Sequence, residues 1–188
     1  MIRERLDELV LAIKRADSSL NLDEYIDDYL EYRRSELKAM NHYELLRELI
    51  SEYNYSYKKR FKSSELIGFK VRIGDVVYVD FGKAYINEAG FQHFAIVIGY
   101  FNSKALIVPM SSNQSMYAQS YCPKTFCNGK KHLFRLPQMD ALKHKSVLFL
   151  NDIKYINTAR IIDVRGNIDP NSSLFKEISH RIDQLRIV

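Results

Sequence analysis

The feature of this sequence that most constrains its fold is the long segment 2–62, which contains neither glycine nor proline. Those residue types supply the backbone angles of most tight turns, so the segment is poor in turns and favours long helices. Its apolar residues recur at intervals of three and four, the spacing of one helix face. The stripes are Leu6, Leu9, Val10 and Ile13; Tyr25, Ile26, Tyr29 and Leu30; and Leu45, Leu46, Leu49, Ile50 and Tyr53. They predict three helices, at about 2–16, 22–38 and 42–60.

Asparagine residues mark the starts of two of these helices. Asn21 is followed three residues later by Glu24, and Asn41 by Glu44. In such a capping box the first side chain accepts from the first-turn amides, and the glutamate reaches back to the cap. We therefore expect the second and third helices to begin just after Asn21 and Asn41.

The residue pattern changes at Gly68. Short runs rich in β-branched and aromatic residues, typical of strands, follow one another with turn residues between them. Asp169–Pro170 has the residue types that start a helix, and an apolar face follows it. The predicted strands are 76–81, 93–98, 105–108, 132–136, 146–150 and 159–164. We expect an α+β fold, with a helical arm (1–64) before a small antiparallel barrel or curled sheet (65–188) closed by a C-terminal helix.

The net charge of +5 is unevenly distributed. Residues 1–64 carry 12 Lys/Arg and 13 Asp/Glu, whereas residues 65–188 carry 16 and 10. Much of this excess of basic over acidic residues lies in the segment 111–145, where aromatic residues are interleaved with basic ones. Such a composition suits single-stranded RNA, because cations neutralise phosphates and aromatic rings stack on unpaired bases. The candidate RNA-binding residues here are Lys124, Lys130, Lys131 and Arg135, although a solvated basic hairpin would have the same composition.

Several classes of protein are excluded or disfavoured by what the sequence lacks. It contains no nucleotide-binding glycine motif, no zinc-protease motif and no hydrolase nucleophile elbow. No apolar run has the ~20 residues of a membrane helix, and the charged N-terminus is not a signal peptide. Cys122, Cys127 and His132 are spaced more widely than in common zinc knuckles, so we expect free thiols and no metal. These features predict a cytoplasmic protein that does not associate with membranes.

Five sequence blocks follow one another in the C-terminal part: GDVVYVDF at 74–81, NEAG at 87–90, HFAIVI at 93–98, LIVPMSS at 106–112 and VLFLNDIKYIN at 147–157. Their order and spacing resemble those of the MazF/PemK (Kid) toxins of toxin–antitoxin systems, over about residues 70–165. That family's pattern is G-D-I-[VW]-x-[VA]-D, G-x-E-Q, R-P-x-[VI]-[VI], [VI]-x-[PA]-[LI]-T-S and D-Q-I-R-T-[IV]-D. Residues 1–62 have no counterpart in the short toxins of the family.

The resemblance implies an SH3-like antiparallel barrel that forms a homodimer and cleaves single-stranded RNA without a metal or cofactor. In that reaction the ribose 2′-OH attacks the adjacent phosphate, leaving a 2′,3′-cyclic phosphate and a 5′-OH. The resemblance also implies an acidic antitoxin peptide as a partner. The expected function is therefore that of a toxin-type endoribonuclease.

The resemblance also implies the site residues. The arginine of R-P corresponds to His93, the threonine of T-S to Ser111, and the glutamate of G-x-E-Q to Glu88, which we expect to be catalytic. Ser112 and Lys154 are the corresponding candidates for RNA contacts. Histidine in place of arginine loses a permanent cation with two parallel donors, and gains a group that titrates near neutral pH.

That substitution leaves a second interpretation open. A barrel without the arginine could bind RNA or a protein partner without cleaving RNA, as the gyrase poison CcdB uses a similar barrel to bind protein. It could also be held inactive by its own helical arm, which contains 13 acidic residues. The sequence alone does not separate these alternatives.

Overall fold

The computed structural model of the chain describes residues 2–16, 19–122 and 126–185. It divides into two compact units, with the boundary between Leu46 and Arg47. The first unit contains helix α1 (Ile2–Lys14), helix α2 (Leu22–Ala39) and the start of helix α3 (His42–Lys58). These bounds confirm the three helices that the apolar spacing predicts.

Polar contacts join the helices of the first unit. The Arg5 guanidinium donates to Asp28 at 2.6 Å and to Glu8 at 3.0 Å, and its carbon lies 4.5 Å from the Tyr25 ring centre. No residue of α1 or α2 is buried, although all residues of both helices are described. The exposed ion pairs between these two helices each contribute little to stability.

Both predicted caps are present. The Asn41 side chain accepts from the amides of Tyr43 and Glu44, and Glu44 accepts from the Asn41 amide at 3.1 Å, which completes a capping box. Asn21 accepts from the Asp23 amide at 3.2 Å. The starts of α2 and α3 are thus set by local sequence, as predicted.

The second unit contains the end of α3, eight strands and two more helices. Its strands are β1 (Asp75–Asp80), β2 (Gln92–Phe101), β3 (Lys104–Ser111), β4 (Ser120–Tyr121), β5 (Lys130–Arg135), β6 (Val147–Phe149), β7 (Lys154–Asn157) and β8 (Ile161–Asn167). Its further helices are α4 (Gln114–Gln119) and α5 (Ser173–Leu185). The mixture of helices with a largely antiparallel sheet confirms the α+β class.

The eight strands form one sheet in the order β4-β5-β6-β3-β2-β1-β8, with β7 also paired to β3. All pairs are antiparallel except β4 with β5. β6 and β7 pair with successive parts of the same edge of β3, so the chain turns a corner between them. β3 therefore has three neighbours in the sheet, namely β2, β6 and β7.

The two faces of the sheet bury two separate hydrophobic clusters. Val76, Ile96 and Val108 belong to the first cluster, together with Phe175 and Ile178 of α5. Their neighbours along the same strands belong to the second cluster, which includes Val77, Val79, Phe81, Ala95, Val97, Ile107, Ile156 and Ile161. Because successive strand residues point to opposite faces and both faces are buried, these strands are nearly continuous apolar runs in the sequence.

Some predicted boundaries are wrong, and three short elements are not predicted. α5 begins at Ser173 rather than at Asp169–Pro170, because Asp169 accepts from the Asn171 amide in a turn and Ser172 caps the helix by accepting from Phe175. The short elements α4, β4 and β7 are absent from the prediction. Segments of two to six residues are too short to show a hydrophobic period.

α3 contacts the sheet through polar residues rather than through its apolar stripe. Arg47, Ser51, Asn54 and Lys58 lie at intervals of i, i+4, i+7 and i+11, and each of them donates to residues between 80 and 161. The apolar stripe of the same helix points away, with Leu49, Ile50, Tyr53 and Tyr57 between 39% and 70% exposed. The hydrophobic period of α3 therefore predicts correctly that this segment is a helix. It does not predict which face is buried, because that face is the polar one.

The central contact of this polar face is the Asp80 carboxylate at the end of β1, which is 5% exposed. One oxygen accepts from Ser51 Oγ at 2.8 Å and from the Gly82 amide at 3.0 Å. The other accepts from Asn54 Nδ2 at 2.8 Å and from Gln92 Nε2 at 3.2 Å. A carboxylate offers about four acceptor positions, so all of them are used.

We expect Asp80→Ala to lower the free energy of unfolding by about 3 kcal/mol, because four donors lose their acceptor in a buried place. Asp163→Ala is the matched control, since Asp163 is a half-exposed carboxylate that pairs with Arg165 in the same strand. Urea unfolding followed by circular dichroism measures both variants. Equal, small losses of stability in the two variants would contradict the central role of Asp80.

Candidate functional site

Two of the predicted catalytic residues, His93 and Ser111, lie on neighbouring strands. His93 is in β2 opposite Val79 of β1, and the next residue, Phe94, is opposite Met110 of β3. Continuing that register by one residue places Ser111 opposite His93. Side chains directly opposite one another in an antiparallel pair share a face, with Cβ atoms ~5 Å apart. The continued register thus places these two positions, which come from separate sequence blocks, next to one another at the ends of β2 and β3.

His93 is the titratable group at the centre of this site. Burial lowers the pKa of His93 below its usual value of 6.5, and the positive charge of Arg47 lowers this pKa further. The Gly90 backbone and the Asp152 carboxylate have the opposite, weaker effect. Among the described residues, none makes a hydrogen bond of good geometry with the buried Nδ1 atom. At neutral pH the ring is uncharged, which is the protonation state that a general base needs.

Arg47 of α3 is a residue that the sequence analysis did not identify. Its Nη2 donates to the Gly90 carbonyl at 2.9 Å, and its guanidinium carbon lies 5.0 Å from the Phe91 ring centre. Its own carbonyl accepts from Gln92 at 3.4 Å. α3 therefore brings a permanent cation to the loop that leads into His93. The only signal in the sequence is its place in the polar stripe of α3.

The Asp152 carboxylate also contacts the loop that leads into His93, and the Lys154 ammonium pairs with this carboxylate. Asp152, in the corner between β6 and β7, accepts from the Ala89 amide at 2.7 Å and forms an ion pair with Lys154 at 2.7 Å. The Lys154 ammonium also lies 5.3 Å from the Phe81 ring centre. Lys154, a predicted RNA contact, is thus already paired with a partly buried acid.

Glu88, the third predicted catalytic residue, is exposed. Its carboxylate accepts from the Tyr85 amide at 3.3 Å, so it stabilises a turn within its own loop. The carboxylate whose charge acts on His93 belongs instead to Asp152. Arg47 and Asp152 thus act on His93, whereas Glu88 lies at the loop surface.

The predicted RNA-binding residues of the basic segment have different surroundings. Arg135 donates to Ser120 Oγ at 2.7 Å and to two carbonyls, those of Ser120 and Ala118, and lies 5.1 Å from the Tyr117 ring centre. This side chain therefore supports the turn between α4 and β4. Lys130, Lys131 and Ser112 are exposed, as a phosphate contact requires, whereas Lys124 lies outside the described residues.

Two further features concern metals and membranes. Within the described residues, no three His, Cys, Asp or Glu side chains lie close enough together to hold a metal ion. Cys122 and Cys127 are not joined in a disulfide, and the pKa of His132 is lowered by burial and by Lys130. No helix in the described part of the chain is long and apolar enough to cross a membrane.

A groove of about 610 Å³ lies between α3 and the segments 80–83 and 157–160. Its basic residues make contacts within the protein. Lys58 donates to the Ile161 carbonyl, Arg160 to the Phe81 carbonyl, and Lys83 pairs with the buried Glu48. These contacts hold α3 on the sheet, so the groove belongs to the attachment of the helix.

The lowered pKa of His93 predicts a pH dependence of stability. Below pH 6.5 the unfolded chain takes up a proton at this residue before the folded chain does, so stability falls as the pH falls. We expect His93→Gln to flatten the decrease in unfolding free energy between pH 7.5 and 5. His144→Gln, which removes an exposed histidine, should leave the decrease unchanged. Urea unfolding at several pH values measures this, and parallel curves for wild type and His93→Gln would contradict it.

Comparisons with known proteins give structural neighbours only. No protein-family model matches the chain, and no curated protein sequence is similar to it. A mycobacterial endoribonuclease, solved in complex with its cognate antitoxin, is 10% identical with a TM-score of 0.42, over 61% of this chain and 93% of that chain. MazE–MazF from Deinococcus radiodurans is 13% identical with a TM-score of 0.43, over 62% and 96%. Both proteins are similar to this chain in the path of the backbone. Neither similarity determines the role of any side chain in this protein.

Proposed function

We propose that this protein is a metal-independent endoribonuclease of the toxin type, which cleaves single-stranded RNA by attack of the 2′-OH on the adjacent phosphate. The observation that carries the proposal is the strand register, which, continued by one residue beyond the Phe94–Met110 pair, sets Ser111 opposite a partly buried His93 whose pKa is lowered. These are the positions that correspond to the catalytic residues of the MazF/PemK-like blocks. A base and a hydroxyl donor are two of the groups that this reaction requires.

The chemical steps can be assigned to these groups. Neutral His93 takes the proton of the 2′-OH, and the 2′-oxygen forms a new bond to phosphorus. Ser111 donates a hydrogen bond to a non-bridging oxygen as negative charge develops there. The P–O5′ bond then breaks, the 5′-oxygen takes up a proton from water, and His93 releases its proton to water. The products are a 2′,3′-cyclic phosphate and a 5′-OH, with no net uptake of protons.

The charge of the second unit supports RNA as the substrate. Residues 47–188 contain 21 Lys/Arg and 12 Asp/Glu, a net charge of +9, whereas residues 1–46 contain 7 and 11. Lys130 and Lys131 are exposed at the start of β5 and available to the phosphates of a strand. The same charge suits an acidic antitoxin peptide as a partner. The homodimer implied by the resemblance belongs to this proposal as well.

The proposal is tested with purified protein and end-labelled single-stranded RNA in EDTA. We expect cleavage products that end in a 2′,3′-cyclic phosphate, and no cleavage where the nucleotide before the cut has a 2′-deoxyribose. His93→Ala should lower the rate ~100-fold or more, the usual contribution of a general base. His144→Ala is the control for loss of a histidine.

Two results would overturn the proposal. Cleavage that continues unchanged in His93→Ala would show that another group is the base. RNA that is bound in a salt-dependent manner but never cut would identify the protein as a binding module instead.

A further inference from the structure

The proposed reaction needs a group that His93 cannot supply. Attack on the phosphate adds negative charge to its non-bridging oxygens, and a permanent cation nearby stabilises that charge. His93 must be uncharged at the start of the reaction if it is to act as the base. The base and the cation must therefore be different residues.

The positive charge of Arg47 acts on His93, and its guanidinium lies against the Phe91 ring in the loop that leads into that residue. Arg47 donates to a neutral carbonyl, that of Gly90, three residues before His93. A guanidinium carries five N–H donors in one plane, so it can hold a carbonyl and a phosphate together.

Building on the proposed nuclease function, we propose that Arg47 of α3 is the phosphate-binding cation of this site. It lies outside the region that resembles the toxin family, on a helix with no counterpart there. In space, it supplies the arginine that is missing at position 93. α3 is accordingly part of the active site and not only an attachment to it.

The surroundings of Arg47 hold its guanidinium in place. The loop that it contacts is closed at its base, because the Phe81 amide donates to Phe91 at 2.8 Å and the Phe91 amide donates to Gly82 at 2.6 Å. The Phe91 ring lies under the guanidinium. Phe91 itself has a φ of 55°, a conformation that a bulky residue rarely adopts and that only its surroundings maintain.

The rotation of α3 is also fixed in a way that directs Arg47 towards the loop. Ser51 is one helical turn after Arg47, and Asn54 is nearly two turns after it, so all three lie on one face. Ser51 and Asn54 both donate to Asp80. Rotating the helix to withdraw Arg47 would break both of these hydrogen bonds.

The first test is kinetic. We expect Arg47→Gln to lower kcat for RNA cleavage ~100-fold, the typical loss on removing one donor to a developing oxyanion. Arg47→Lys should restore part of the loss, because it keeps the charge but not the paired donors. Arg165→Gln, which removes an exposed arginine of β8, is the matched control. Urea unfolding of each variant shows whether it remains folded.

A second measurement separates a phosphate contact from a structural role. Because the Arg47 charge lowers the pKa of His93, Arg47→Gln should raise this pKa and move the acid limb of the rate profile to higher pH. Asp152 acts on His93 in the opposite direction, and neither it nor Lys154 is changed in this variant. Proton NMR of the His93 ring follows the same shift without any substrate. A folded Arg47→Gln variant with unchanged kcat and an unchanged His93 titration would overturn the inference.

A binding test distinguishes failure of this inference from failure of the nuclease proposal. Its probe is a fluorescent single-stranded RNA with 2′-O-methyl groups, which cannot be cleaved. Loss of Arg47 should weaken binding and reduce the slope of log K against log salt by about one, as expected for one lost phosphate contact. If the wild type never cleaves RNA but binding still depends on Arg47, the nuclease proposal fails and the phosphate contact stands. If binding and cleavage are the same in Arg47→Gln and Arg165→Gln, the inference about Arg47 fails alone.

Discussion

The Asp80 carboxylate is the contact on which the arrangement of the second unit depends. Its four hydrogen bonds reach α3, the loop after β1 and the first residue of β2. Gln92, one of these donors, immediately precedes His93. A single buried acid therefore contacts the helix that carries Arg47, the loop that Arg47 contacts and the strand that carries His93. Since a buried carboxylate is costly without partners, this contact favours one arrangement over others more than it adds stability.

The inverted orientation of α3 follows from this constraint. An amphipathic helix normally buries its apolar stripe, and the apolar period alone would place Leu49, Ile50 and Tyr53 against the sheet. In the structure Ser51 and Glu48 are buried instead, and the apolar stripe is exposed. A polar interface needs each donor to meet its acceptor, so it defines the helix rotation more strictly than apolar packing does. Such precision is what a phosphate-binding side chain on that helix would require.

The sequence predicts local features well. It predicts only some of the contacts between residues that are distant in the chain. The three N-terminal helices, two of their caps and most strands follow from periods and cap residues that act within a few positions. The order of the sequence blocks predicts His93 and Ser111 as neighbours, and the register of β2 with β3 ends one residue before this pair. Arg47 was missed because it approaches His93 only through the fold, from 46 positions earlier in the chain. Asp152, whose charge acts on His93, was not among the predicted site residues, while Glu88 accepts a hydrogen bond within its own loop.

The separation of base and cation has a chemical consequence. An arginine at position 93 would be a permanent cation that cannot accept a proton, so a site built on it needs its base elsewhere. With histidine in the strand and arginine on α3, each group has one task. The positive charge of Arg47 would act on both groups. It would stabilise the phosphate, and it keeps the pKa of His93 low, so that the ring is ready to accept a proton. The proposed roles of His93 and Arg47 therefore depend on one another, because the cation on α3 acts on the protonation of the histidine in β2.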